Sequence, residues 1–257
     1  MLTFPQPFPQ VIDIHSHFDH GSPFDAGSAE PELHKRDLDF LQTEYARYGI
    51  THAGMSTFAS VLFHPECVVE ENAWLADLTE RTDWMRQWVV IDPRQPETFQ
   101  QAKALLDRPR SLGIKIHPEY HAYDIEEYGD KLFAFADALG ATVLMHPQKI
   151  EKMPDFADKY PNMRLIIAHL GSAAHVDAIA RAKHGNIYTD TSGSKSFFNH
   201  VLEYAVERVG SERILFGTDT YSCAFQLGRV ALSPISREAQ ENIFFRNALR
   251  LFPNTFA

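Results

Sequence analysis

The stretch MRLIIAHLGSAAHVDAIARAKHGNIYTDTSG, residues 163–193, shows in one place the pattern that decides the fold. It begins with a short apolar run, which is typical of a buried strand. The next segment, SAAHVDAIARAKHG, has apolar residues at helical spacing and stops at Gly185, a residue type that commonly ends helices. A second strand, NIYTDTSG, follows directly. The stretch therefore predicts two parallel strands joined by a helix, because parallel neighbours need a long crossover connection.

The same alternation of strand and helix extends in both directions along the chain. Eight segments predict strands that are each followed by a helix: VIDIHSHFDH (11–20), THAGMSTF (51–58), MRQWVVID (85–92), LGIKIH (112–117), ATVLMH (141–146), MRLIIAHLG (163–171), NIYTDTSG (186–193) and ERILFGTDT (212–220). Eight such units predict an α/β fold, a single (β/α)8 TIM barrel. The alternative is an open, doubly wound sheet, which the missing glycine-rich phosphate loop disfavours. No linker or repeat divides the chain, so one domain over residues 1–257 is expected.

The composition is that of an ordinary globular protein, with 44% hydrophobic and 23% charged residues. The net charge of −10 argues against a nucleic-acid partner, which would need a basic surface. The sequence has no apolar run of about 18 residues that could cross a membrane. Residues 1–10, MLTFPQPFPQ, lack the basic start of a signal peptide, so a cytoplasmic location is expected. The two cysteines, Cys67 and Cys223, match no zinc-binding spacing.

The first strand, VIDIHSHFDH, runs from apolar residues into a group of polar ones. Strand side chains alternate between two faces, so Asp13, His15 and His17 share one face. Two imidazoles on one face at the end of a strand can bind a single metal ion. The alternative is a pair of histidines that only hydrogen-bond inside a polar core, and this short motif does not decide between the two.

Other strands also end in residues that carry chemistry. The fourth, fifth, sixth and eighth predicted strands end in Lys115 with His117, His146, His169 and Asp219, respectively. In a TIM barrel these strand ends converge on one mouth, where active sites are built. Buried ionisable groups cost desolvation energy unless they are paired or ligated, so their repeated placement predicts a functional site. Histidines away from the strand ends, such as His34, are expected to face solvent.

Taken together, these segments resemble the amidohydrolase superfamily. The likeness is carried by DIHSH, GIKIHP, MHP, PNMRLIIAHLGS, NIYTDTSG, ERILFGTDT and the closing ENIFFRNALRLF, which occur in that order. It is strongest to the amidohydrolase-related branch, which includes aminocarboxymuconate-semialdehyde decarboxylase and several small-molecule hydrolases, and it covers essentially the whole chain. The resemblance implies a divalent metal ion held by His15, His17, His146 and Asp219, with His169 beside the bound water or the substrate.

The donor set implied by this resemblance, three imidazoles and one carboxylate, suits Zn²⁺ best, with Mn²⁺, Fe²⁺, Co²⁺ and Ni²⁺ as alternatives. One ion is favoured. Two ions are the alternative, because binuclear members of the superfamily bridge their metals with a carboxylated lysine on the fourth strand, where this chain has Lys115. With one ion, Lys115 and His117 would contact the substrate or support the metal ligands. A lysine in that place indicates an anionic small molecule as the substrate.

The resemblance makes a metal-dependent hydrolase the first hypothesis, with a metal-activated water as the attacking group. Asp219 would bind the metal and also take the proton from that water, so Asp219 and His169 are the catalytic candidates. The alternative is a non-oxidative decarboxylase, a carbon–carbon lyase of the same branch. Decarboxylases of the branch often carry long insertions over the mouth, so this compact chain favours the hydrolase.

A non-catalytic binding barrel is a third hypothesis, and it is disfavoured because every expected site position is filled. A homodimer is the commonest assembly among soluble enzymes, although the sequence identifies no surface for it.

Overall fold

The computed structural model describes residues 8–62 and 64–256. Residues 1–7 lie outside the described ranges. They include most of the segment 1–10 that was compared with a signal peptide, and they belong to the predicted domain 1–257. The described residues form eight strands that pair in parallel and in sequence order: β1 (Ile12–Phe18), β2 (His52–Thr57), β3 (Met85–Val90), β4 (Ser111–Ile116), β5 (Thr142–Met145), β6 (Arg164–Ile167), β7 (Ile187–Asp190) and β8 (Ile214–Leu215). The backbone N–H of Ile14 donates to the backbone oxygen of Phe216 at 2.9 Å, which joins the residue after β8 to β1. The predicted (β/α)8 TIM barrel is confirmed.

Helices follow the strands and surround the barrel. In the described ranges they are α1 (Leu38–Tyr48), α2 (Phe58–Val61), α3 (Val68–Glu80), α4 (Pro96–Leu105), α5 (Ile125–Ala138), α6 (Met153–Lys159), α7 (Ala173–Arg181), α8 (Val201–Val209), α9 (Cys223–Ala231), α10 (Arg237–Glu241) and α11 (Asn247–Leu251). The sequence pattern does not predict α2 and α9. It predicts one helix over 236–252, which instead comprises α10, a π-helical segment and α11. No helix within these ranges combines the length and the apolar character needed to span a membrane.

The eighth strand is shorter than the sequence predicts. It comprises only Ile214–Leu215 of the segment 212–220. Beyond the strand, the backbones of Asp219 and Thr220 adopt left-handed conformations, with φ of 56° and 63°, and turn the chain. The helix α9 begins shortly after this turn, capped by the hydroxyl of Ser222. The turn therefore lifts Asp219 out of the strand and into the mouth of the barrel.

Inside the barrel, two strand glycines make room for the indole ring of Trp88. A Cβ at Gly54 would lie 2.8 Å from Trp88 Nε1, and a Cβ at Gly113 would lie 3.0 Å from Trp88 Cζ3. The indole N–H donates to the backbone oxygen of Ile14 at 2.6 Å, so this buried ring has its polar group satisfied. The ring helps to fill the barrel interior, which leaves the strand ends as the place for chemistry.

The buried carboxylate of Asp13 ties the first and last strands together. It accepts hydrogen bonds from the His15 N–H (3.0 Å), the Thr218 N–H (3.1 Å), the Thr218 hydroxyl (2.6 Å) and the Tyr45 hydroxyl (2.9 Å). Burial raises the pKa of Asp13 to about 7, although these hydrogen bonds oppose the shift. A single carboxylate thus fixes the backbone of the two segments that carry His15 and Asp219.

Candidate metal centre

Three of the candidate metal ligands meet where β1 and the end of β8 adjoin. The Nε2 atoms of His15 and His17 lie 3.2 Å apart. Asp219 Oδ1 lies 3.6 Å from His15 Nε2 and 3.5 Å from His17 Nε2. Both histidines are buried, whereas the Asp219 side chain is 17% exposed and borders the open mouth. Two imidazole nitrogens and a carboxylate oxygen therefore converge on one small space.

The outer nitrogen of each histidine is fixed by a neighbour. Nδ1 of His15 lies 2.9 Å from Asp190 Oδ2, and Nδ1 of His17 lies 2.9 Å from Ser56 Oγ and 3.3 Å from the Ser56 backbone oxygen. Each Nδ1 therefore carries the hydrogen, and each Nε2 directs a lone pair at the centre. Burial, reinforced by the charge of Lys115, lowers the pKa of both rings and keeps them neutral. Such converging lone pairs repel one another unless a cation lies between them, so this donor set fits a divalent metal ion.

Lys115 of β4 reaches the same centre from the barrel floor. Its Nζ lies 2.9 Å from His15 Nε2, and its side chain is completely buried. Burial lowers the pKa of Lys115 to about 8, although the carboxylates of Asp219 and Asp190 oppose that shift. The amine lies within hydrogen-bonding distance of a metal-ligand candidate, so an anion bound at this centre would be within its reach.

His117 and His146 lie at the same mouth but outside this cluster. Their rings stack with centroids 3.9 Å apart. Burial lowers the pKa of His146 to about 2, so its neutral ring donates from Nε2 to Glu119 Oε2 at 3.0 Å. Among the described residues, the groups of potential ligand atoms within 4.8 Å of one another are His15–His17–Asp219 and His15–His169–Asp190. Neither contains His146, whose role as a ligand stays a prediction.

His169 lies on the other side of Asp219. Its Nε2 is 3.9 Å from Asp219 Oδ2, its Nδ1 is 2.9 Å from Ser192 Oγ, and its ring stacks over His15 at 5.0 Å between centroids. The backbone of His169 is left-handed, with φ of 64°, as are those of Asp219 and Thr220. Such conformations cost about 1–3 kcal/mol each and are concentrated at functional sites in proteins. The strained backbone conformations and the titratable side chains therefore occur together at the mouth of the barrel.

Asp190, at the end of β7, is a site residue that the sequence analysis does not single out. Besides its contact with His15, it accepts hydrogen bonds from the His169 N–H (3.2 Å) and the Ser192 hydroxyl. Burial favours the protonated form, but His15, His169 and the hydrogen bond from Ser192 hold the pKa of Asp190 below its usual range. Asp190 is therefore a carboxylate that orients the ring of His15 and holds the backbone of His169. The sequence does contain a sign of this role, because Asp190 stands at the end of the strand NIYTDTSG, as the other site residues stand at theirs.

A cavity of about 310 Å³ opens above these groups. All of the candidate site residues line it: His15, His17, Lys115, His117, His146, His169 and Asp219. Loop residues complete the wall, among them His34, Arg36, Phe58, Tyr120 and Tyr221. The expectation that His34 faces solvent is wrong, because the loop after β1 folds over the mouth. The volume suits a small-molecule ligand.

A family model described as amidohydrolase matches residues 12–253. The chain therefore belongs to the amidohydrolase family, as the sequence motifs indicate, and it is an enzyme of that superfamily. A search of curated proteins returned no match.

Three solved structures share the fold across nearly their whole length. Dihydroxybenzoic acid decarboxylase from Polaromonas sp. JS666, with bound manganese and the inhibitor 2-nitroresorcinol, has a TM-score of 0.78 and 17% identity, over 96% of this chain and 97% of that one. 5-Carboxyvanillate decarboxylase from Sphingomonas paucimobilis has a TM-score of 0.77 and 13% identity, over 96% and 99%. A 2,6-dihydroxybenzoate decarboxylase in complex with 2,6-dihydroxybenzoate has a TM-score of 0.74 and 13% identity, over 96% and 100%. At such identities the similarity establishes the barrel fold.

Proposed function

We propose that this protein is a metal-dependent decarboxylase that removes CO₂ from a planar, unsaturated or aromatic carboxylic acid without an oxidant. The observation that carries the proposal is the make-up of the cavity. A completely buried amine, Lys115 Nζ, lies beside the metal-ligand cluster, and the rings of Phe58, Tyr120 and Tyr221 contribute to the wall. A cationic floor suits a carboxylate, and an aromatic wall suits a flat ring.

The structural neighbours support this proposal over the hydrolase that the sequence favours. All three neighbours described above are decarboxylases by name, and two of these were solved with an aromatic inhibitor or acid bound. The preference for a hydrolase rests on the compactness of the chain. That reason is weak, because the match to these decarboxylases runs over nearly the full length of both chains.

The reaction breaks the bond between a ring carbon and the carboxyl carbon. CO₂ leaves, and the electron pair that stays on the ring carbon takes up one proton. A divalent ion held by His15, His17 and Asp219 would polarise the substrate oxygens bound to it as this bond breaks. Lys115 Nζ would orient an anionic oxygen of the substrate. His169 would hold the incoming proton at Nε2, since its Nδ1 is occupied by Ser192 and Asp219 Oδ2 lies 3.9 Å from Nε2.

We infer that the site takes one divalent ion. Imidazole nitrogens and a carboxylate oxygen are acceptable donors for both Zn²⁺ and Mn²⁺. Zinc is the ion that the sequence favours, whereas the Polaromonas neighbour holds manganese. Elemental analysis of protein purified without chelator gives the identity and the number of ions. About two equivalents would contradict the single-ion site and favour one in which a carboxylated Lys115 bridges two metals.

A hydrolase is the second candidate, and one observation favours it. The two oxygens of Asp219 face different groups, Oδ1 the two ligand histidines and Oδ2 the ring of His169. A carboxylate in that position could bind a metal and also accept a proton from water, which is what hydrolysis requires.

The experiment that separates the two candidates is turnover in isotopically labelled water. The metal-loaded protein is incubated in D₂O with a panel of hydroxylated and carboxylated benzoic acids, and in parallel in H₂¹⁸O with a panel of aryl esters and lactones. We expect CO₂ release, with one deuterium placed at the carbon that lost the carboxyl group, and we expect His169→Asn to reduce that rate. Incorporation of ¹⁸O into ester or lactone products, without CO₂ from any acid, would replace the decarboxylase with the hydrolase.

A further inference from the structure

A second cavity, of about 350 Å³, opens at the mouth of the barrel beside the one described above. The loops after β5, β6, β7 and β8 form its wall, whereas the first cavity is formed mainly by β1, β4 and the loops after β1, β2 and β4. Four residues line both cavities: His146, His169, Asp219 and Tyr221. The proposed reaction site therefore adjoins both cavities, and the proposed function has used only the first.

A glycine lets the loop after β7 approach the reaction site closely. Gly193 lines the second cavity, and its backbone is left-handed, with φ of 61°. A Cβ at this position would lie 3.0 Å from His169 Nδ1 and 3.6 Å from Asp219 Oδ2. Glycine adopts this conformation without a steric penalty and leaves the space beside both side chains free. The residues that follow Gly193 therefore border the second cavity next to His169 and Asp219.

The same loop brings the ring of Phe198 to the second cavity. The Ser194 hydroxyl donates to the backbone oxygen of Thr191 at 2.6 Å, and the Phe198 N–H donates to the backbone oxygen of Lys195 at 3.1 Å. These hydrogen bonds hold the backbone on both sides of the loop. Phe198 lines the cavity and is 38% exposed, so its side chain has free surface that a bound molecule can cover.

The wall of the second cavity is largely apolar. Ile150, Leu170 and Phe198 contribute hydrocarbon side chains to it. Lys195 also lines the cavity, but it is exposed, so its stem can border the apolar wall while its charge stays in water. Apolar walls favour the burial of an uncharged hydrocarbon group, because this removes apolar surface from water. The two cavities thus differ in chemistry, since the first contains the cationic Lys115 and the metal-ligand candidates.

We infer that the second cavity binds an apolar extension of the substrate, so that the natural substrate is a planar carboxylic acid that carries an uncharged aromatic or aliphatic group. The carboxylate would lie at the metal centre beside Lys115, and the extension would cover the ring of Phe198. This inference rests on the proposed function, because it takes the carboxylate at the metal centre as the group that leaves. It adds that the loops after β5 and β7 select the substrate by its extension.

The test measures binding and requires no turnover. Benzoate, biphenyl-3-carboxylate and biphenyl-4-carboxylate are titrated into metal-loaded protein by calorimetry. We expect at least one biphenyl acid to bind about tenfold more tightly than benzoate and to compete with it, since the second ring buries apolar surface. Phe198→Ala should remove most of this preference, while the affinity for benzoate stays unchanged. Phe225→Ala is the matched control, because Phe225 of α9 is similarly exposed, at 40%, and lines neither of these two cavities.

A second variant changes the opposite wall of the same cavity. Ile150→Trp fills part of the space that the extension would occupy, so we expect it to remove the preference for the biphenyl acids and to leave the affinity for benzoate unchanged. If Phe198→Ala fails to fold by circular dichroism, Ile150→Trp decides the inference in its place.

Equal affinity of the wild type for all three acids, or binding of none, would overturn the inference. A preference of wild-type size in both variants would place the extension elsewhere and would also overturn it. So would an equal weakening of benzoate and the biphenyl acids, which would assign Phe198 and Ile150 to structure alone. Absence of CO₂ release would refute the decarboxylase without altering this binding preference, so the two failures are distinguishable.

Discussion

At the scale of single residues, the proposed metal centre depends on which nitrogen of each histidine faces inward. Asp190 and Ser56 hold the Nδ1 atoms of His15 and His17, and this leaves the Nε2 lone pairs for a cation. Such supporting contacts raise the basicity of a ligand and fix its orientation. The residues behind the ligands should therefore influence metal binding nearly as strongly as the ligands do.

The first prediction concerns this support. Asp190→Asn keeps a hydrogen-bond acceptor for His15 but removes the negative charge, so we expect the affinity for Mn²⁺ or Zn²⁺ to fall by about 10- to 100-fold. Competition with a chromophoric chelator measures the dissociation constant. The control is Asp158→Asn, which changes an aspartate paired with Lys183 on the surface. An unchanged affinity in Asp190→Asn would show that the charge of Asp190 does not act on the metal.

The second prediction concerns the hydrogen bonds to Asp13. Tyr45→Phe removes one of the donors to a buried carboxylate, and we expect the free energy of unfolding to fall by about 1–3 kcal/mol. Urea denaturation measures the change. Tyr48→Phe, on the less buried side of the same helix, should have little effect. Equal stability of Tyr45→Phe and the wild type would mean that water replaces the lost hydroxyl.

Much of the site can be predicted from the sequence, because the carboxyl ends of the strands in a barrel converge on one mouth whatever the conformation of the loops. Those positions give His15, His17, Lys115, His169 and Asp219 their common cavity. The sequence cannot predict how a ring is turned, and His146 donates to Glu119 in spite of its expected role. It also gives no sign of Arg36, because a loop has no period from which the direction of a side chain could be inferred.

At the scale of secondary-structure elements, strand and helix order follow from hydrophobic period, whereas their ends depend on local backbone geometry. The predicted eighth strand covers 212–220, whereas the observed strand ends at Leu215 and left-handed residues turn the chain at Asp219 and Thr220. The helix α9 lies immediately beyond and is absent from the prediction. The prediction misses this helix because it extends the strand through the turn at Asp219 and Thr220.

The third prediction concerns the contact between α8 and α9. Glu203 of α8 accepts hydrogen bonds from Arg229 of α9 at 2.6 and 3.0 Å and from the Ser233 hydroxyl at 2.5 Å. Burial alone would raise the pKa of Glu203, but these contacts lower it from 4.5 to about 2. The folded state therefore binds fewer protons than the unfolded state between these values. The stabilisation, at most about 3 kcal/mol, is present above pH 4.5 and is lost as the pH falls toward 2.

Glu203→Gln tests this contact. We expect it to lower the melting temperature at pH 7 and to weaken the loss of stability between pH 4.5 and pH 2, since the titrating group is gone. Thermal unfolding followed by circular dichroism at several pH values provides the measurement. Glu207→Gln, at an exposed position of the same helix, serves as the control. The same acid dependence in Glu203→Gln and the wild type would assign the effect to other carboxylates.

At the scale of the whole molecule, metal binding should stabilise the barrel. A ligand that binds only the folded state adds about 2.7 kcal/mol at a concentration 100 times its dissociation constant. We therefore expect Mn²⁺ or Zn²⁺ to raise the melting temperature and a chelator to reverse the shift. His17→Ala should abolish the shift, whereas His52→Ala, at the opposite end of the barrel, should retain it. A metal-induced shift of wild-type size in His17→Ala would place the ion elsewhere.

The adjacency of the first and last strands has a consequence for how the enzyme matures in the cell. Its candidate ligands come from opposite sides of that junction, and the hydroxyls of Ser16 and Thr220, 204 positions apart, meet across it. A ribosome releases the histidines early and the aspartate only after seven other strands have been synthesised. A nascent chain therefore presents two imidazoles without their carboxylate, and tight metal capture must await completion of the barrel. With the metal held by these residues as proposed, its acquisition would be a late step of biogenesis that a prematurely terminated chain could not complete.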